Sequence, residues 1–419
     1  MNISKFTASL MCLFCLGFQL VSAQSVTVSE FNYNSDSSFS TGDWIEIWNY
    51  GSSPVDLTGW SLDDGDLVNT YTFPNGLILD PDERIVYSCD PLRFASMQPG
   101  VTNMIGDTVF RLNNGGEEIR IFNSASSVVV AFSFEDTVPW QKTPDGAGRT
   151  LELQDETADL FDPQNWWAGC MFGSPGVPYT ACDPDLVFSE VNYNSAFSPN
   201  PGDWVELHNR TASSIDLSGW FFNDSRDTSL FPIPDGTVLE ADAYLVIARD
   251  ETMFSAVHPG LTNLVSGFDF NLSGDGEVIQ LFDELENIIY SAAYNDSSPW
   301  PTEADGLGYT LEFDDETGAV EKAFNWFAGC LLGSPGRAYD PDCVNGLNTP
   351  ESTFEFTAFS HNGQVYAQTD ASIGEVQYSL YDLNGRVLAA SIPVIGERVV
   401  LGDAIPKGIY FVRAYSDDG

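Results

Sequence analysis

At 419 residues the chain has room for about three domains of ordinary size. Its apolar content of 43%, with 13% aromatic residues, supports packed cores and excludes a largely disordered chain. A formal charge of −45, from 61 acidic against 16 basic residues, argues against nucleic acid and anionic lipid as partners, because both demand clustered Lys and Arg.

The first segment reads as a leader. Lys5 precedes an apolar run from Phe6 to Val21, and Val21-Ser22-Ala23 supplies the small residues of a cleavage site before Gln24. Residues 1–23 are therefore expected to be a signal peptide. No other stretch approaches the ~20 apolar residues of a membrane span, so the expected product is secreted or held at the outer cell surface. In an oxidising compartment Cys170 with Cys182, and Cys330 with Cys343, are expected to form bridges, each closing a short loop around Gly-Ser-Pro-Gly. Cys89 is left over and reads as a lone buried thiol.

A shift of 160 residues lays 28–181 on 188–341 without a gap. SEFNYNS at Ser29 returns as SEVNYNS at Ser189, and GDWIEIWN at Gly42 returns as GDWVELHN at Gly202. VDLTGW ending at Trp60 returns as IDLSGW ending at Trp220, and NWWAGC with GSPG returns as NWFAGC with GSPG. Such an offset implies duplication of a whole folding unit, with one unit over 26–182 and the other over 186–343.

Each unit reads as all-β. In Asp43-Trp44-Ile45-Glu46-Ile47 the two Ile side chains share one face, and Trp44 and Glu46 the other. Gly, Asn, Asp and Pro divide such runs at the spacing of a sandwich. A helix is expected to start at Asp90-Pro91, where Asp caps and Pro takes the first turn, and again at Asp250. Phe110-Arg111-Leu112, the turn Asn113 to Gly116, and Glu117 to Phe122 read as a hairpin.

The residues that carry the repeat resemble the lamin-tail domain, an immunoglobulin-like β-sandwich of nuclear lamins and many exported bacterial proteins. The resemblance rests on GDWIEIWN followed by VDLTGW, on their second-copy equivalents, and on the closing W-x-AG and GSPG. It implies two tandem immunoglobulin-like sandwiches and a non-catalytic module, in bacteria often a companion of hydrolases.

Beyond Cys343, residues 344–353 form a polar linker, and alternation resumes over 354–419. YDLNGRVL, with its Asn384-Gly385 turn, and IPKGIYFVR resemble the C-terminal sorting domain of the type IX secretion system of Bacteroidetes. That likeness implies a small C-terminal β-sandwich that directs export through the secretion machinery. Pro-Asn-Pro near the domain start and a final basic-apolar strand before Gly419 are the parts of that pattern not found.

Catalysis finds little footing. Of three histidines, His208 and His258 face Trp48 and Gln98 in the first copy, and His361 lies in the C-terminal domain. No nucleophile elbow, zinc motif or Walker loop is present. Glu46 and Glu206, with Asp43 and Asp203, occur in both copies, but the alternation points Asp43 away from Glu46, against a glycosidase pair. No cofactor is called for, although calcium has candidates in Asp63, Asp64 and Asp66, in Asp275 and Glu277, and in Asp340-Pro341-Asp342. Acids and glycines are also what turns require. Trp44 with Glu46, and Trp204 with Glu206, are expected to form an exposed contact face for envelope or extracellular proteins or glycans. The leading expectation is a non-catalytic interaction or structural protein. An accessory module of an extracellular hydrolase and a calcium-dependent adhesin are the alternatives.

Overall fold

Val26 and Val28 are buried with polar Thr27 between them, as in a strand with one face on a core. The core then continues on Phe31 and Tyr33, positions of the opposite parity. The chain makes the change with a bulge: the pairing of strand Val26–Asn32 with Trp44–Asn49 slips between Val28 and Glu30. The second copy slips between Phe188 and Glu190. One extra residue keeps the apolar set on the core face and turns Glu30 and Glu190 to the other side.

The computed structural model describes residues 25–108, 111–180, 182–195, 200–225, 230–314 and 320–339. Beyond these it describes the strands 356–361, 364–369, 375–382, 387–395, 399–402 and 410–416. The expected signal peptide, the linker 344–353, Cys343, Asp340-Pro341-Asp342 and the Asn384-Gly385 turn lie outside the described residues.

The fold is all-β, with two tandem immunoglobulin-like sandwiches followed by a small C-terminal β-sandwich. In the first, one sheet runs Trp166–Ala168, Leu151–Leu153, Val26–Asn32, Trp44–Asn49, Arg84–Ser88 and Met104–Gly106. Its last pair is parallel. The facing sheet runs Val128–Phe134, Glu117–Phe122, Ser61–Asp63 and Thr70–Thr72. Between them lies a core that includes Phe31, Ile45, Ile47, Trp60, Phe132 and Trp166. The second unit repeats the plan, and its strands Leu186–Asn192, Trp204–Asn209, Tyr244–Ala248 and Ile288–Ala293 each begin 160 residues after their counterparts. The short helix Pro91–Met97 starts where expected, with the Asp90 carboxylate accepting from Arg93 N. Glu251–Val257 matches it, capped by Asp250.

The expected hairpin is placed differently. Glu117–Phe122 pairs with Val128–Phe134, not with the segment before it. Residues 111–113 form no strand, because Leu112 is buried in the core and its N–H donates to the Asp43 carboxylate at 2.9 Å. In the C-terminal domain two three-stranded sheets close over Val365, Ala367, Tyr378, Leu380 and Leu401. No helix among the described residues is long and apolar enough to cross a membrane.

Candidate functional site

The face of each larger sheet that points away from its core is covered too. Over it lie the short helix, through Phe94, and the loop Gly173-Ser174-Pro175-Gly176. Beneath that loop three glutamates stand on adjacent strands, with Glu30 opposite Glu46 and opposite Glu152. All three are buried. Ser174 N donates to Glu30 at 3.0 Å, Ser174 Oγ to Glu152 at 3.0 Å, and Gly176 N to Glu46 at 2.6 Å. Thr150 and Ser29 donate to Glu30 and Glu46 at 2.6 and 2.5 Å. The second copy repeats this cradle, with Glu190, Glu206 and Glu312 holding Ser334 and Gly336. Burial first, then the charges of Glu152 and Glu46, pushes the Glu30 carboxyl well up. Burial lifts Glu152 to about 8. The arrangement latches a loop; the loop itself fills the space above the carboxyls.

Gly173 shows how tightly the latch closes. Its φ is +75°, and a Cβ there would lie 2.5 Å from Glu30 Oε1 and 3.2 Å from Trp44 Cζ2. Only glycine fits both conditions.

The two sandwiches meet in a polar and apolar seam. Arg149, 3% exposed, donates from Nε and Nη2 to the Ser291 carbonyl at 3.0 and 2.7 Å, and from Nη1 to Gly169 at 2.8 Å. Its guanidinium also lies 5.1 Å from the Tyr290 ring centre. Glu321 accepts from the backbone N–H of Lys142 and Thr143 at 2.8 and 2.6 Å. Lys322 reaches back to the carbonyls of Gln164 and Trp166; burial depresses its ammonium to about 8, against the opposing pull of Glu321. Ala147, Val278, Ile288 and Ala293 pack beside these groups.

On this seam opens a groove of about 250 Å³, lined from one side by Val138, Pro139 and Trp140 and from the other by Ser298, Pro299 and Trp300. A recess of about 630 Å³ with Asp136, Asp145 and Glu277 in its wall adjoins it. Apolar walls with a few polar groups are the usual make-up of a ligand site.

Residues 21–136 and 180–296 each match the Lamin Tail Domain family, together more than half of the chain. The chain belongs to the lamin tail domain family. A search of curated proteins returns no significant match.

Within the two lamin tail domains the expected contact face needs correction. Trp44 and Glu46 are 1% and 2% exposed, Trp204 and Glu206 0% and 1%. Alternation places them on the side away from the core, as expected, but helix and loop bury that side as well. Trp44 packs edge-on against Phe94 and Trp204 against Phe254, at 5.8 and 5.7 Å. None of the four offers a surface to a partner.

The histidines of the second lamin tail domain stand in for structural groups of the first. His208 Nε2 lies 3.2 Å from Asp242 where Trp48 Nε1 donates to Asp82 at 3.0 Å. Its ring stacks on Tyr244 where Trp48 carries Arg84. His258, lowered by burial, bonds the backbone of Leu332, as Gln98 bonds the carbonyl of Phe172.

The calcium candidates are scattered. Asp63 pairs with Arg120 at 2.7 Å, while Asp64 and Asp66 accept from N–H groups of their own turn. Asp275 is exposed, and Glu277 is buried and accepts from Ser273 N and the Tyr294 hydroxyl. Among the described residues no group of three or more His, Cys, Asp or Glu is arranged to hold a metal ion. Cys170 and Cys182 are bridged. Cys330 is disulfide-bonded, its expected partner Cys343 lying outside the described residues, and Cys89 is a buried free thiol.

The glutamates Glu30, Glu190, Glu152 and Glu312 and the whole seam went unforeseen. Glu30 and Glu190 sit inside a motif repeated in both copies, which was their signal. Arg149 and Lys322 face Tyr309 and Asp162 across the repeat, so their signal was divergence between copies.

Proposed function

We propose that the chain is a non-catalytic, exported interaction protein whose two lamin tail domains act as one unit and bind a partner in the groove along their seam. The partner is an extracellular glycan or an extended protein segment. One observation carries this reading: the same Pro-Trp loop from each domain, Val138-Pro139-Trp140 and Ser298-Pro299-Trp300, faces a shared groove. Pro139 and Pro299 are exposed, while Trp140 is buried and Trp300 half-buried beneath them. Proline faces on an aromatic floor suit sugar rings and extended chain, and buried Arg149 and Lys322 hold the two halves at a set distance. The substitution of both histidines by structural groups in the other copy supports the absence of catalysis. The apolar leader 1–23 and the C-terminal domain are proposed to carry export, the latter through the type IX machinery.

The test is a glycan and protein array probed with the full chain and with Val138→Arg and Trp300→Ala. Val138 is 63% exposed, so its variant is expected to fold normally and lose binding. Binding retained in both variants would remove the groove from the account. Export is tested by fusing residues 354–419 to a periplasmic reporter in a type IX-competent host; a reporter that stays in the cell contradicts the sorting role.

A further inference from the structure

The contact between the two domains is heterologous. The end of the first domain that carries Ala147 and Met171 covers the outer strand Ile288–Ala293 of the second. Gly148 comes so near that a Cβ there would lie 3.2 Å from Ile288 Cγ2. Ser38 Oγ accepts from Ile288 N at 3.0 Å, and Arg149 bonds the Ser291 carbonyl, so the polar edge of that strand is occupied. Units that meet end to face leave one unused end and one unused face at the limits of the array.

Both unused surfaces are visible in this chain. The 160-residue shift carries Ala147 and Met171 to Leu307 and Leu331, and Ile288 back to Val128. Ala147 is 2% and Ile288 1% exposed within the seam, whereas Leu307 is 63%, Leu331 54% and Val128 58% exposed. The free end is thus more apolar than the end already docked. Val128–Phe134 is the outer strand of its sheet, an edge of the kind that invites pairing unless blunted by charge.

We propose that a second copy of this chain docks its Val128–Phe134 edge on the Leu307–Leu331 end, so that chains associate head to tail as the two domains do within one chain. The reading is independent of the groove and its ligand. The inter-chain contact is weaker than the seam, for two reasons. Tyr309 stands in place of Arg149, removing the buried anchor, and Glu118 and Arg120 stand in place of Val278 and Gln280. The charge of −45 also repels a second copy. Since salt shortens the range of that repulsion to about 10 Å at 0.1 M, association strengthens as salt rises, the reverse of an interaction made by ion pairs.

Sedimentation of the full chain over a concentration series, at low and high salt, tests this with Val128→Asp and Leu331→Asp. Both sites are exposed, and unchanged melting curves confirm that the variants fold. The weight-average mass of the unsubstituted chain is expected to climb past twice the monomer as concentration and salt increase. Each variant alone is expected to lose that growth, having one blocked surface. An equimolar mixture should reach dimer and stop, because only the free end of Val128→Asp and the free edge of Leu331→Asp can meet. The proposal is overturned by a monomeric mass at all concentrations, which includes the case in which the C-terminal domain occupies the Leu331 end. It is equally overturned by a dimer that either variant still forms alone, which marks a symmetric contact.

Discussion

Glu30 and Glu152 face each other across neighbouring strands, both buried, and Ser174 donates to both, from its N–H and its hydroxyl. Burial raises both carboxyls above the ordinary glutamate value, so the pair takes up a proton more readily than free glutamates do.

That proton sets a pH dependence. Burial raises both carboxyls above their ordinary 4.5 in the folded state, with the charges of Glu152 and Glu46 adding to the rise at Glu30 and that of Glu46 to the rise at Glu152. Their contribution is therefore complete below about 4.5 and fades as pH climbs through the folded value, about 8 for Glu152. Stability is expected to fall between about pH 5 and 8, by up to about 1.4 kcal/mol per pH unit for each proton held. Urea midpoints over this range, at high salt to screen the general repulsion, measure it. Glu30→Gln with Glu190→Gln should flatten the slope; a midpoint that rises with pH contradicts the account.

Gly173→Ala is expected to destabilise the first domain by about 2 kcal/mol or more, since strain at positive φ costs about 1–3 kcal/mol before any clash. Gly76, with φ +80° and no atom within 4 Å of where a Cβ would sit, isolates the strain alone. Denaturation midpoints that are equal for Gly173→Ala and Gly76→Ala would remove the latch from the explanation.

Trp44→Ala is expected to cost about 3–5 kcal/mol, as for a large buried side chain. It should leave partner binding intact wherever the chain remains folded. Loss of binding by a folded Trp44→Ala would restore the exposed-face reading.

Cysteine chemistry separates by burial. Non-reduced peptide mapping is expected to show the Cys170–Cys182 link, and Cys170→Ser to cost about 3 kcal/mol from loop entropy. Burial pushes the Cys89 thiol up to about 11, and its Sγ accepts from Asp43 N. Alkylation of Cys89 should therefore be slow in the native chain and fast in urea. Rapid native labelling contradicts this placement.

Much of the fold was legible in the sequence because duplication exposes itself: strands, helix caps and disulfide loops recur at one offset. What escaped was set by contacts that no local pattern encodes. Alternation separated Trp44 and Glu46 from Ile45 and Ile47 correctly, yet nothing local says that a helix and the GSPG loop cover the second face. The bulge between Val28 and Glu30 changes parity in mid-strand, and Leu112 abandons an apparent hairpin to satisfy Asp43. Arg149 and Ser291 make the seam through differences between the copies, where a search for likeness finds nothing.

The first domain covers the edge strand Ile288–Ala293 of the second through Ala147, Met171 and Ser38, with Arg149 anchoring the contact on the Ser291 carbonyl. Hydrogen exchange tests whether the two lamin tail domains form one unit, with a control inside the same chain. In dilute protein the amides of 288–293 are expected to exchange more slowly than those of the matching edge strand 128–134. Arg149→Ala should bring the first rate up to the second. Equal protection of the two strands, unchanged by the substitution, would contradict the account.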